Sequence, residues 1–366
     1  MASDSVYLDY NATAPARAGV AAAVSAAIAL GGNPSSVHSR GRAARRLVED
    51  ARARLATLIG ARPANIVWTS GGTEANRLAL TACGRRRVLA SAVEHPSVAA
   101  LCPPAQQLPV DAAGRLDLQG LERAFAHSDE NAMVSLMLAN NETGVIQPVA
   151  EAAAIAHAAG ALLHCDAVQG LGKYRLDLTE LGADLMTVSA HKIGGPAGVG
   201  ALILAPRITL DTNRDAGGQE QGRRPGTENL AGIAGFGAAL EHLAADLADQ
   251  PRQAALRDRL EQTLGDAAIV FGQAAPRIAN TSCLAMPGVP AETQVMAFDL
   301  AGFCVSAGAA CSSGKVQASP VLLAMGVEPA LAASAIRVSI GSQTTADEID
   351  AFAAAWKQLF ERKQAA

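Results

Sequence analysis

The 366 residues include five lysines, at 173, 192, 315, 357 and 363. Lys192 differs from an ordinary surface lysine in its company. It sits in Ser189-Ala190-His191-Lys192-Ile193-Gly194-Gly195-Pro196, just after an apolar, strand-like run, among small residues and glycines rather than charges. An amine in that setting can condense with the aldehyde of a cofactor; the same residues would also make a plain surface turn. Cys311 is the second residue with a telling context. It is surrounded by Ser306-Ala307-Gly308-Ala309-Ala310 and Ser312-Ser313-Gly314-Lys315, which leave a thiol accessible. Only the thiolate attacks, and a free thiol titrates near ~8.5, so activation on substrate binding is expected. The other cysteines, at 83, 102, 165, 283 and 304, stand mostly in apolar stretches and read as small buried hydrophobes. None form Cys-x-x-Cys or structural-zinc spacing.

Four further groups could serve an amine–aldehyde site. Ser70-Gly71-Gly72-Thr73-Glu74-Ala75-Asn76 joins a strand to a helix. Glycines let backbone N–H groups approach an anion, and a helix N-terminus favours negative charge; the alternative is a simple helix cap. Leu162-Leu163-His164-Cys165-Asp166 is an apolar strand ending in a carboxylate, with Gln169 three residues on. A buried Asp166 needs a partner, and a protonated pyridine nitrogen is a suitable one; otherwise it caps a helix. His95, in Val93-Glu94-His95-Pro96-Ser97, can stack on a planar ring or move protons, or be a loop histidine. Asn141 follows the expected central strand and can hydrogen-bond a ring oxygen or substrate, or shape a turn. In Ala335-Ile336-Arg337-Val338-Ser339-Ile340-Gly341 the alternation sets Arg337 opposite Ile336, Val338 and Ile340. Arg337 there offers a planar fork for a carboxylate; the plainer reading is an exposed arginine on an edge strand.

The elements that must carry these groups alternate. Helical patterns cover 17–30, 38–59, 74–83 and 149–159. Strand patterns cover 65–69, 87–90, 132–139, 161–165, 185–189 and 198–204. Strand–helix–strand alternation predicts a mostly parallel sheet covered on both faces. Long helical segments at 238–264 break near Gln250-Pro251, and strands at 281–285, 302–306 and 335–340 suggest a smaller unit beyond. The expected division is a large cofactor-binding domain over 15–250 and a small α+β domain made of 1–14 and 251–366. Half of the residues are apolar and the formal net charge is −4. Mixed charges exclude a nucleic-acid footprint or an anionic-membrane patch; Arg40, Arg42, Arg45 and Arg46 beside Glu49 and Asp50 read as a solvated helix face. No apolar run spans a bilayer uninterrupted and no signal core follows Met1, so a cytoplasmic location is expected.

Taken in order, these motifs resemble one family, the cysteine desulfurases (NifS/IscS-like) of the class V aminotransferases, within the fold-type I pyridoxal-phosphate (PLP) enzymes. Tyr7–Pro15, Ser70–Asn76, Glu94-His95, Asn140–Gly144, Asp166–Gln169, Ser189–Pro196, the run Gly217–Asn229 and Ile336–Gly341 all match, so the resemblance covers nearly the whole chain. It implies an α/β fold with a mostly parallel seven-stranded sheet. It implies PLP held by Lys192, with Asp166 on the pyridine nitrogen and His95 on the ring face. Gln169 and Asn141 then contact the ring hydroxyl side, while Gly72, Thr73, Ser189 and His191 bind phosphate, with Thr227 reaching in from a second subunit of a homodimer. Arg337, with Asn141, holds the carboxylate of L-cysteine. Cys311 accepts sulfur as a persulfide and can act as a transient iron–sulfur ligand; no other metal is expected.

The implied reaction converts L-cysteine to L-alanine, with the persulfide passed to a sulfur-acceptor protein such as an iron–sulfur scaffold. Selenocysteine lyase, cysteine sulfinate desulfinase and a non-catalytic sulfur-transfer scaffold are the alternatives. Around Cys311 the chain resembles the longer-loop group and lacks Arg-x-Gly-His-His-Cys. It departs from the family in Gln317-Ala318-Ser319-Pro320, where the proline is displaced, and this bears on partner docking.

Overall fold

The computed structural model describes residues 5–125, 129, 131–212, 217–308 and 318–364; Cys311 lies outside them. The chain opens with a short strand, β1 (Val6–Tyr7), whose partner comes late in the sequence. Two helices follow, α1 (Val20–Leu30) and α2 (Ser39–Leu58). Gly41, Ala44, Val48, Ala51, Arg52, Leu55 and Ala56 are the buried residues of α2, the three-to-four spacing of one inward face. Arg40, Arg42, Arg45 and Arg46 are exposed on the other, as expected. His38 caps α2, its Nδ1 accepting from the Gly41 N–H.

Seven strands then build the main sheet: β2 (Ile66–Thr69), β3 (Arg87–Ser91), β4 (Gln107–Leu108), β5 (Ala132–Met137), β6 (Leu162–Asp166), β7 (Leu185–Ser189) and β8 (Gly200–Leu204). Their order across the sheet is β2-β8-β7-β6-β5-β3-β4. Pairings from β7 to β4 are parallel; β8 runs antiparallel to both β7 and β2. Every residue of β5, β6 and β7 is buried, which suits strands covered on both faces. Helix α3 (Gly72–Ala82) packs across β6, β7 and β8 on one side. On the other side α1 and α2 pack on the helix Leu230–Leu240, where Phe236 meets Trp68 edge-on at 5.6 Å.

Past the helices Leu243–Ala248 and Gln250–Leu264, a four-stranded antiparallel sheet forms from β9 (Ile269–Phe271), β10 (Thr281–Ala285), β12 (Ser306–Ala307) and β13 (Ala335–Ser339), in the order β12-β13-β10-β9. Between them β11 (Phe303–Cys304) pairs with β1, so the N-terminus joins this second unit. Its core is aromatic: Phe298 stacks on Trp356 at 5.6 Å and Phe352 lies 4.9 Å from Phe298. Strand β13 is interior, flanked by β12 and β10. Arg337 is therefore not on an edge, and the plainer reading of it fails.

Candidate active site

The parallel strands end together, and the sequence-selected residues stand at their carboxyl ends, where open α/β sheets bind ligands. Asp166 closes β6; Ser189 closes β7 and leads into the 3-10 turn Ala190–Ile193 that carries His191 and Lys192. Glu94 and His95 follow β3, and Asn140 and Asn141 follow β5.

Lys192 points its amine at two backbone carbonyls, Asn11 O at 2.6 Å and Ala12 O at 2.9 Å. Its pKa is lowered to about 8, by burial first and then by the charge of Arg337, with Asp166 and Asp9 opposing the shift. A neutral, nucleophilic amine is thus accessible near neutral pH. Burial also brings the neighbouring His191 down to about 4, with Lys192 and Lys173 adding to the effect, so this imidazole offers one N–H donor and no charge.

Asp166 is buried, 6% exposed. Its Oδ2 accepts from Asn76 Nδ2 at 2.7 Å and its Oδ1 from the Val168 N–H at 3.0 Å. Among the described residues no cationic side chain forms an ion pair with it, and a buried carboxylate without a counter-charge is costly. Asn76 gives its second N–H to Ser97 Oγ at 2.9 Å, and Ser97 Oγ lies 2.8 Å from His95 Nδ1. His95 Nδ1 also accepts the Ser97 N–H and so caps the short helix Pro96–Ala99. That occupies Nδ1 and leaves Nε2 to carry the proton of the neutral ring. Burial lowers the pKa of His95, with Asp166 raising it and Lys192 lowering it. A chain of contacts therefore ties the histidine to the carboxylate. Asn76, its middle member, stood in a matched motif without a role.

The glycine turn faces the same edge. Gly71 has φ 152° and ψ −179°, a conformation nearly restricted to glycine. A Cβ at Gly72 would lie 2.8 Å from Val168 Cγ2 and 3.8 Å from Ser189 Cβ, and one at Gly200 would meet Gly71 C at 2.7 Å. The turn is therefore pressed onto β7 and β8, and it opens the eleven-residue helix α3 with Thr73 exposed at its start. That is the donor set an anion needs.

Arg337 donates from Nη1 to Asn141 O at 3.0 Å and from Nη2 to Asp9 Oδ1 at 2.7 Å, and its Nε–H is buried with no partner among the described residues. The unspent donor fits a carboxylate fork. Asn11 connects the two units. Its amide donates to Thr281 Oγ1 and Asn141 O, its N–H to Ser339 Oγ, and its carbonyl accepts from both Gln169 Nε2 (3.0 Å) and Lys192. Asp9, Asn11 and Lys173 carry no individual role in the motif reading. For Lys173 the signal was its spacing, four residues after Gln169.

Glu142 is buried beneath the same region. Its carboxylate accepts from Ser319 Oγ at 2.6 Å, and burial raises its pKa. The displaced Pro320 opens the helix Pro320–Ala324, which Ser319 caps. Thr227 is exposed and lines a cavity of about 190 Å³ with Trp68, Ser70 and Arg224; Lys192 lines a different, smaller one. Among the described residues, no three His, Cys, Asp or Glu side chains gather as a metal site.

PLP fits these residues. The amine at 192, the uncompensated carboxylate at 166, the glycine turn at a helix start and the unpartnered Arg337 Nε match an aldehyde, a pyridinium, a phosphate and a substrate carboxylate in turn.

The Aminotransferase class-V family matches residues 6–352. A cysteine desulfurase of Cereibacter sphaeroides is 43% identical over 363 residues, covering 94% of this chain and 93% of its own. A NifS-like protein from Rickettsia africae superposes with TM-score 0.90 at 34% identity, covering 98% of this chain and 99% of its own. The SspA protein solved in complex with cysteine superposes with TM-score 0.79 at 26% identity, over 93% of this chain and 99% of that one.

Proposed function

The chain belongs to the class V aminotransferases and, within them, to the cysteine desulfurases, enzymes that use PLP to take sulfur from L-cysteine, and on that premise we propose which residues do the work. Lys192 is the lysine that holds the cofactor; Asp166 pairs with its ring nitrogen and His95 covers its ring. Gln169 and Asn141 face the ring hydroxyl, Gly72, Thr73, Ser189 and His191 hold the phosphate, and Arg337 grips the substrate carboxylate. The observation that carries this assignment is the pair at the ends of adjacent strands: an amine whose pKa is about 8 and a buried carboxylate with no described counter-ion.

When bound, PLP supplies an aldehyde for the amine and a ring that withdraws electrons from the substrate's Cα. The chain's own residues do the rest. Arg337 fixes the carboxylate through Nε, so the α-amino group faces Lys192. Lys192, once its amine is free, takes the Cα proton. Asp166, oriented by Asn76 and Val168, would face the ring nitrogen. The thiolate of Cys311 attacks the substrate sulfur; an S–S bond forms as the Cβ–S bond breaks. The electron pair of the broken bond stays with carbon, which takes up a proton and becomes the methyl group of alanine. We propose further that the enzyme is a cytoplasmic homodimer, that Thr227 serves the partner's site, and that the persulfide passes to an iron–sulfur scaffold or similar acceptor. No helix among the described residues is long and apolar enough to cross a membrane.

Cys311→Ala is expected to keep the yellow cofactor while releasing no alanine from cysteine, and Lys192→Ala to lose the visible band of the attached cofactor. Wild-type enzyme treated with cysteine should carry an extra sulfur on Cys311 by mass spectrometry. Full turnover by Cys311→Ala would overturn the assignment of that residue.

A further inference from the structure

Lys173 is a buried amine that the reaction above does not use. It follows Gln169 by four residues, and its Nζ lies 2.5 Å from Gln169 Oε1 and 2.8 Å from Asn11 Oδ1. Both acceptors are amide oxygens, and among the described residues no carboxylate pairs with it. Burial pushes its pKa well below the ordinary lysine value, and the charges of Lys192 and Arg337 push the same way. Its N–H groups meet both acceptors.

A side-chain amide has two ends of nearly the same shape, and only its partners decide which way it points. Lys173 turns an N–H donor toward Gln169, so it claims the oxygen. The NH2 end is then the end left over, and it lies 3.0 Å from Asn11 O. The Asn11 carbonyl also accepts from Lys192, and the Asn11 side chain is held by Asn280 at 3.0 Å and Thr281 at 2.8 Å. Gln169 Nε2 thus shares one carbonyl with the cofactor lysine, and its second N–H is free to point into the cofactor site.

We propose that Lys173 is a positioning residue that fixes the Gln169 amide with its NH2 end toward the cofactor, so that the ring oxygen meets a donor and not another oxygen. The inference rests on the assignment of Gln169 to the ring hydroxyl side. It assigns Lys173 no contact with cofactor or substrate.

The test uses loaded, full-length enzyme and two readouts other than turnover: the visible absorption band of bound PLP and the rate at which PLP leaves for an apo-acceptor. Lys173→Met removes the donors at similar length. It should shift the band and speed release about tenfold, the size of one lost hydrogen bond. Gln169→Leu alone should do the same, and adding Lys173→Met to it should change nothing more, with the unfolding temperature as a separate control. An unshifted band in Lys173→Met, or an equal further effect in the Gln169→Leu background, would overturn the proposal. Gln169→Glu gives a check that does not depend on how well Lys173→Met folds: it keeps an oxygen for Lys173 but offers the ring no donor. It should release PLP as fast as Gln169→Leu, and wild-type release would overturn the proposal. Failure of the active-site assignment itself looks different, because Lys192→Ala would then keep the band.

Discussion

At the scale of single residues, chemistry depends on how far Lys192 has been moved from an ordinary lysine. Its ammonium would lie among backbone carbonyls near the Arg337 charge, and burial makes the neutral amine the cheaper form. With the folded value near 8 and the ordinary value at 10.5, the unfolded chain binds more protons between those two pH values. This group's contribution to stability therefore rises with pH across that window, and its penalty is complete below it. Reactivity follows the same titration. In apo-enzyme, acylation of Lys192 mapped by mass spectrometry should show a midpoint near pH 8; a midpoint close to 10.5 would mean that the amine is not desolvated. Asp166 and Lys192 could be picked out from sequence because one ends an apolar strand and the other follows one closely. Asn76 could not be given a role, because it acts through Ser97 and Asp166, far away in sequence, which local pattern does not report; Lys173 stands near Gln169, but its other acceptor, Asn11, is as hidden.

At the scale of elements, the turn–helix–strand arrangement around the glycine loop is braced by one buried ion pair. Arg52 on α2 donates to both carboxylate oxygens of Glu220 at 2.8 Å, and Glu220 Oε2 also accepts the Trp68 N–H of β2 at 2.9 Å. Glu220 holds φ at +48°, rare for a residue with a side chain, so the pair is kept at some backbone cost. Glu220→Gln keeps the shape but leaves the buried Arg52 with only the more exposed Glu49 as counter-charge. It should cost about 3 kcal/mol or more, read by urea unfolding, and Arg52→Met in the same chain should recover part of it. A cost below about 1 kcal/mol would mean that the pair behaves as if solvated. Elements like β5, β6 and β7 were legible because a fully buried strand is a mostly apolar run. The direction of β8 was not legible, since its pairing depends on the return path after Lys192. Nor was β4, two residues long and paired on one side only. The join of β1 to β11 was also hidden, because its partner lies almost the whole chain away.

At the scale of the whole molecule, Asn11 shows why both ends of the chain are needed for one site. Leu8, Tyr10 and Asn11 bond to Cys304 and Ser339 of the second unit, while the Asn11 carbonyl receives Lys192 of the first. A single chain brings together Lys192, Asp166, His95, Gln169 and Arg337. Thr227 is exposed and lines a cavity with Ser70, beside the glycine turn, and its proposed phosphate contact across a dimer can be told from one within its own chain. Mixing variants decides the matter. Lys192→Ala removes the amine from one chain and Thr227→Ala removes the hydroxyl from the other. If Thr227 acts across the interface, a mixed dimer contains one site with both changes and one site with neither. Co-refolded variants should then regain wild-type cofactor affinity and wild-type kcat in a fraction of their sites. If Thr227 serves its own chain, every site in the mixture carries one lesion and no wild-type sites return. Mixed dimers isolated by two different affinity tags, titrated with PLP and assayed for alanine, separate these outcomes; a population without wild-type sites would place the phosphate site wholly within one subunit.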